Sequence, residues 1–125
     1  MSQKILIIDD NKDITEMLSR YLIVKGFDCV TTNDGMNGLK LIKKENYGTI
    51  FLDLSMPNFG GLDVIDALEK ENVLKDQRIV IFTALSITTE QIQELLEKDG
   101  VESCLRKPIH LSEFMTYVTM EYETN

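Results

Sequence analysis

The sequence predicts an α/β fold, a parallel sheet with helices packed on both faces. Three observations predict it. Short apolar runs alternate with amphipathic stretches five times along the chain. The runs "KILII", "TIFL" and "RIVIFT" are almost entirely apolar, which is the pattern of strands buried on both faces. The connections are short, and such strand–helix–strand units with right-handed crossovers build a parallel sheet. No linker or break in composition divides the 125 residues, so residues 1–125 are expected to form one domain.

The elements follow in order. Lys4–Ile8 is the first predicted strand. Ile14, Met17, Leu18, Tyr21 and Leu22 then recur at helical spacing, and Gly26 is placed to end that helix. "DCVTT" (28–32) reads as a second, less apolar strand, and Asp34-Gly35 as a turn before a helix over "MNGLKLIKKE". The third strand is expected to end near Leu52, and Leu62, Ile65 and Leu68 supply the apolar stripe of the next helix. Arg78–Thr83 is the fourth strand. A fourth helix carries Ile92, Leu95 and Leu96 and ends near Gly100. "SCLR" (103–106) is a short fifth strand. Leu111, Phe114, Met115, Val118 and Tyr122 share one face of the last helix, and Met120 points off that stripe as a weak interface signal.

Composition narrows the function classes. The hydrophobic fraction is 43% and the charged fraction 27%, ordinary for a soluble globular domain. Net charge is −8, with 13 scattered Lys and Arg against 21 acids. A surface for direct nucleic-acid binding needs clustered cations, so none is expected. No apolar run approaches the ~18 residues of a membrane span. The N-terminal "MSQKILIIDD" runs from its apolar stretch straight into an acidic pair, unlike a signal peptide. A cytoplasmic protein with no membrane association is expected. Cys29 and Cys104 have no C-x-x-C spacing and read as buried thiols.

In an open parallel sheet, ligands bind beyond the carboxyl ends of the strands. The residues there are Asp9 and Asp10 after the first strand, Asp53 after the third, Thr83 and Ala84 at the fourth, and Lys107 after the fifth. Each has a plainer reading alone. Asp9-Asp10 could cap a helix or suit its dipole, Asp53 could form a turn, Thr83 could be a strand-end polar residue, and Lys107 a loop residue. Together they make a chemical set. Crowded carboxylates repel, and a hard divalent cation relieves the repulsion. Oxygen-only ligands favour Mg²⁺, with Mn²⁺ also suited. Lys107 offers a mobile point charge for a phosphoryl oxygen, and Thr83 with Ala84 offers a hydroxyl and a backbone N–H. Such a set stabilises a phosphoryl group in transfer. Asp53 is the expected nucleophile, forming an aspartyl phosphate.

"IIDD" (7–10), "FLDLSMPNFGG" (51–61), "FTA" (82–84) and "RKP" (106–108) resemble, in order and spacing, the receiver domain of two-component response regulators. The resemblance covers essentially the whole chain. It implies a flavodoxin-like (βα)5 doubly wound sandwich with a five-stranded sheet in order 2-1-3-4-5. It implies Asp53 as phosphoacceptor from the phosphohistidine of a sensor histidine kinase or a phosphotransfer protein. Asp10 would be a direct Mg²⁺ ligand, Asp9 would act mainly through a metal-bound water, and the Ser55 backbone carbonyl would complete the set. Thr83 would bind the phosphoryl group and shift on activation, Lys107 would pair with it, and Pro108 would be a cis-proline, which an X-Pro bond permits.

Some positions depart from or vary within that pattern. Cys104 stands where the family usually has the aromatic that switches rotamer. Gly60-Gly61 stands where Asp-Gly is commoner. Ser55 and Leu85 occupy the positions that tune phosphate loss. Because a cysteine cannot sweep out a ring's volume, the output is expected from Leu85–Glu90 rather than from a flip in the fifth strand.

The expected function is a phosphorylation-activated switch that changes its protein–protein contacts, catalysing only its own phosphoryl gain and loss. The alternative is a receiver-like interaction module that works unphosphorylated. Enzymes on similar folds lack their residues here. Ser55 breaks an Asp-x-Asp phosphatase motif, no G-x-x-x-x-G-K-[ST] loop exists, and Asp9-Asp10 would repel a flavin phosphate. No output domain occurs within residues 1–125, so an unidentified downstream protein is the expected reader. His110 is expected to be a solvated residue opening the last helix.

Overall fold

The computed structural model describes residues 4–84 and 87–123, with side chains of the last helix described through Thr119. Leu85, Met120 and Tyr122 lie outside the residues or side chains described. The strands are β1 (Lys4–Ile8), β2 (Asp28–Thr32), β3 (Thr49–Asp53), β4 (Ile79–Thr83) and β5 (Val101–Arg106). The helices are α1 (Lys12–Val24), α2 (Gly35–Lys44), α3 (Gly61–Lys70), α4 (Thr89–Leu96) and α5 (Leu111–Glu123), with a 3-10 turn at Leu74–Asp76. All strand pairs are parallel, and the order is β2-β1-β3-β4-β5. Both the order and the flavodoxin-like fold are as expected from the sequence.

The strand pleat divides the core into two layers, because successive side chains point to opposite faces. Leu6, Ile8, Ile50, Leu52, Ile79 and Ile81 pack on one face with Val64, Ile65, Leu68 and Leu95. Ile5, Ile7, Phe51, Val80 and Phe82 pack on the other with Leu18, Leu22, Phe114 and Val118. Phe51 anchors the second layer, its ring centroid 4.5 Å from Phe114 and 5.4 Å from Phe82. Among the described residues no helix is long and apolar enough to cross a membrane.

Several local expectations change. Asp53 is the last residue of β3 rather than the first past it. β5 begins two residues before Ser103, and the register slips between Ile79 and Val80, leaving Glu102 unmatched. α4 ends at Leu96, with Gly100 reached through a turn at φ +102°. Met17, Leu62 and Leu96 sit on predicted apolar stripes but are exposed. Helical spacing marks a stripe about 100° wide, whereas the sheet covers only its centre line. In α3 that line runs through Val64, Ile65 and Leu68.

Candidate functional site

The parallel register assembles the site. Ile8 pairs with Leu52, so Asp9 emerges beside Asp53. Asp53 pairs with Phe82, and Thr83 with Arg106. Lys107 then follows directly, its backbone N–H donating to the Thr83 carbonyl at 2.8 Å. The parallel strands β1, β3 and β5 thus deliver the acids and the lysine to a single edge. Local structure holds each in place. The α1 cap is Asn11, whose side chain accepts from the N–H groups of Asp13 and Ile14. That frees the acid pair from the capping role its position had suggested. Asp9 Oδ1 instead accepts from Asn11 N–H at 2.9 Å. Asp53 Oδ1 accepts from Ser55 N–H at 3.2 Å.

Asp9, Asp53 and Thr83 are buried, while Asp10 and Ser55 are exposed and Ala84 is half-buried. Each of Asp9, Asp10 and Asp53 places one carboxylate oxygen within 4.8 Å of the others'. Lys107 Nζ lies 2.9 Å from Asp9 Oδ2 and 3.4 Å from Asp53 Oδ2. The shorter contact pairs the buried Asp9 Oδ2 with the ammonium. Burial first, and the Asp9 charge second, push the Asp53 carboxyl up to about 6. Burial works against the Lys107 ammonium, yet Asp9 and then Asp53 outweigh it and raise its pKa. Thr83 Oγ1 donates to the Ala84 carbonyl at 3.0 Å. The Lys107–Pro108 peptide is cis.

The edge therefore holds three carboxylates against one ammonium. Two buried carboxylates and one exposed one in an all-oxygen set, with a single ammonium beside them, fit a hard divalent cation of the Mg²⁺ type. Cys104 is half-buried opposite Ile81 on β5, packs against the core, and burial raises its thiol pKa. Burial pushes Cys29 up to about 11. Both cysteines are free, and a high thiol pKa suits an inert packed sulfur. His110 is exposed, and its carbonyl accepts from Phe114 N–H at the start of α5. Sequence reasoning missed Asn33, whose amide donates to the Asp9 carbonyl at 2.8 Å. Beside Asp34-Gly35 it reads as one more turn residue, and no periodicity marks it.

Residues 5–119 match the family model described as the response regulator receiver domain. A probable transcriptional regulator, ycf27, of Porphyridium aerugineum is 35% identical over 85% of this chain and 42% of its own length. The CpxR homolog of Haemophilus influenzae is 30% identical over 92% of this chain and 48% of its own. The chain thus spans less than half the length of these two curated relatives. Among solved structures, the Francisella response regulator 1452 receiver domain superposes with a TM-score of 0.85 at 30% identity, covering 98% of both chains. The response regulator TrrA of Thermotoga maritima, solved in complex with Mg²⁺ and BeF, gives 0.77 at 28% identity over 95% of this chain and 98% of its own. With the strand order, the acid triad and the lysine already in place, these matches show that the chain belongs to the receiver-domain family of two-component response regulators.

Proposed function

We propose that this chain is a phosphorylation-activated switch whose acceptor is Asp53. The observation that carries the reading is the Asp53 carboxylate at the tip of β3, with Asp9 beside it and Lys107 Nζ 3.4 Å away. In the step proposed, an Asp53 carboxylate oxygen attacks the phosphorus of a phosphohistidine. The new O–P bond forms as the P–N bond breaks, and the imidazole nitrogen leaves with the bonding pair. Asp9, Asp10, Asp53 and the Ser55 carbonyl would hold Mg²⁺, with Mn²⁺ able to replace it. When bound, the cation neutralises the carboxylates and the phosphoryl oxygens. The TrrA complex with Mg²⁺ and BeF supports that assignment by analogy. Thr83 and the Ala84 N–H would receive a phosphoryl oxygen, and Lys107 would exchange its carboxylate contacts for the phosphoryl charge.

The donor is proposed to be a sensor kinase or a phosphotransfer protein. A groove of about 470 Å³ runs along α1, lined by Met17, Tyr21 and Val24 of that helix and by Leu111 at the start of α5. A docked protein could cover it while presenting a histidine to Asp53. The chain catalyses only its own phosphoryl gain and loss in this reading. Its own output is proposed to be protein contact, because its charge of −8 opposes a phosphate backbone. Relatives described as transcriptional regulators carry about as much chain again. The test is incubation with acetyl phosphate and Mg²⁺, read by intact mass. The wild type is expected to gain one phosphoryl group, and Asp53→Asn none. Equal gain by both would remove Asp53 as the acceptor.

A further inference from the structure

We propose that the turn Asn33–Gly35, which carries no reacting group, is the positioning element that sets the spacing of Asp9 against Asp53. The inference rests on the phosphoacceptor reading and concerns how the cation site is kept open at the right width.

The turn touches both acid-bearing loops. Towards β1, the end of β2 and the turn together hold the main chain of Asp9 from two sides. The Asp9 N–H donates to the Thr32 carbonyl at 3.1 Å. The Asn33 amide donates to the Asp9 carbonyl at 2.8 Å and to Thr15 Oγ1 at 3.1 Å, which uses both of its N–H groups. The same side chain thus ties the acid pair to the first turn of α1. Towards β3, Gly35 abuts the loop that follows Asp53. A Cβ added to Gly35 would overlap the Phe59 carbonyl oxygen and come within 3.3 Å of Met56 Cε. Gly35 has no positive φ, so the position needs space rather than an unusual backbone. The far end of that loop is equally tight. A Cβ on Gly61 would overlap the Asp53 carbonyl oxygen and lie 2.8 Å from Leu54 Cα. The loop is therefore wedged between its own strand and the start of α2 and cannot yield without moving Asp53 or Ser55. Thr32 Oγ1 stiffens the turn itself by accepting from Asp34 N–H and from the Asn37 amide.

The chemistry makes spacing decisive. Lys107 offsets only part of the repulsion among three carboxylates within 4.8 Å of one another. Mg²⁺ accepts only a narrow range of oxygen distances. A brace that fixes both loops holds the carboxylates in place before the cation arrives, as outer-shell partners do in metal sites generally.

The test compares Mg²⁺ affinity, by calorimetric titration well below the melting temperature, with metal-free melting temperature. Asn33→Ala is expected to weaken Mg²⁺ binding about 10-fold and Gly35→Ala at least as much. Arg78→Ala is the control. It removes a donor to the Thr49 hydroxyl and the Tyr117 carbonyl at the opposite sheet edge, so it should lower the melting temperature while leaving Mg²⁺ affinity unchanged. If Gly35→Ala does not fold, Asn33→Ala and Arg78→Ala still decide the matter. Equal Mg²⁺ affinities for wild type, Asn33→Ala and Arg78→Ala would overturn the inference alone. A wild type that binds no Mg²⁺ would overturn the phosphoacceptor reading and this inference with it.

Discussion

The two edges of one sheet use charge in opposite ways. At the edge where the strands begin, opposite charges meet. Lys4 pairs with Glu45 at 2.8 Å. Arg78 spreads one guanidinium over the Thr49 hydroxyl and the Tyr117 carbonyl, with Glu102 at 3.9 Å. One guanidinium, on the residue before β4, thus reaches β3, β5 and α5. At the edge where the strands end, three carboxylates share one lysine. All five strands are parallel, so each edge gathers the same end of every strand. The difference lies in stoichiometry. A matched edge contributes stability, whereas a surplus of buried charge costs stability until a ligand completes it.

The largest expected effect tests the first half of that contrast. Arg78→Ala leaves the buried Thr49 hydroxyl and the Tyr117 carbonyl without their donor. Orphaned buried groups cost ~1–3 kcal/mol each, so a loss of about 3 kcal/mol is expected in urea unfolding. Arg78→Lys should recover only part of it, because the lysine nitrogen sits one bond short of the Nη1 that serves both acceptors. Mg²⁺ affinity should stay at the wild-type value. A parallel fall in affinity would mean that the edges are not independent.

The second half predicts a pH dependence. The Asp53 carboxyl moves from 3.8 to about 6, driven by burial and then by Asp9. The folded state therefore keeps that proton where the unfolded chain has already released it. Stability is fully present below about pH 4 and is lost as pH rises through about 6. The expected loss is on the order of 2 kcal/mol and is measured as the difference between wild type and Asp53→Asn in metal-free melting from pH 4 to 7. Mg²⁺ at about 100 times its Kd should return roughly 2.7 kcal/mol at neutral pH to the wild type. If Asp53→Asn keeps the full pH slope, the strain at this edge resides elsewhere.

How much of this was legible in the sequence depends on whether a feature is one-dimensional. β1 and β2 are bounded as read, because apolar runs and turn residues are local signals. Asp9, Asp53, Thr83 and Lys107 were legible as neighbours because parallel strands of one sheet end at the same edge. Asn33 and Gly35 were not, since their partners Asp9 and Phe59 lie 24 residues away in one direction and another 24 in the other. Arg78 read as the first residue of a strand. Its reach to Tyr117, 39 residues on, exists only once α5 has docked. Met17 and Leu62 show the converse error, where a correct helical period says nothing about how wide a strip the sheet covers.

The smallest expected effect is a null at Cys104, and it asks how far the surplus of charge is felt. Beryllofluoride bound at Asp53 would draw Thr83 and Lys107 toward it, and Lys107 is the residue after β5. A ring three residues before that lysine could change rotamer to report the shift. A cysteine has only a short χ1 rotor and is already packed against Ile81's layer of the core. Its neighbour is held as well, since Ser103 Oγ donates to the Tyr117 hydroxyl at 2.8 Å and fastens β5 to α5. The path left open runs from Thr83 through Ala84 to Ile87 and the Thr88 cap of α4. Amide shifts on adding beryllofluoride and Mg²⁺ should therefore be large at Thr83, Ala84 and Ile87–Glu90 and small at Ser103–Leu105. Shifts at Ser103–Leu105 as large as those at Thr83, and persisting in Cys104→Ala, would show that β5 itself rearranges. The signal would then cross the sheet edge through the backbone of β5 and need no side chain at position 104 to carry it.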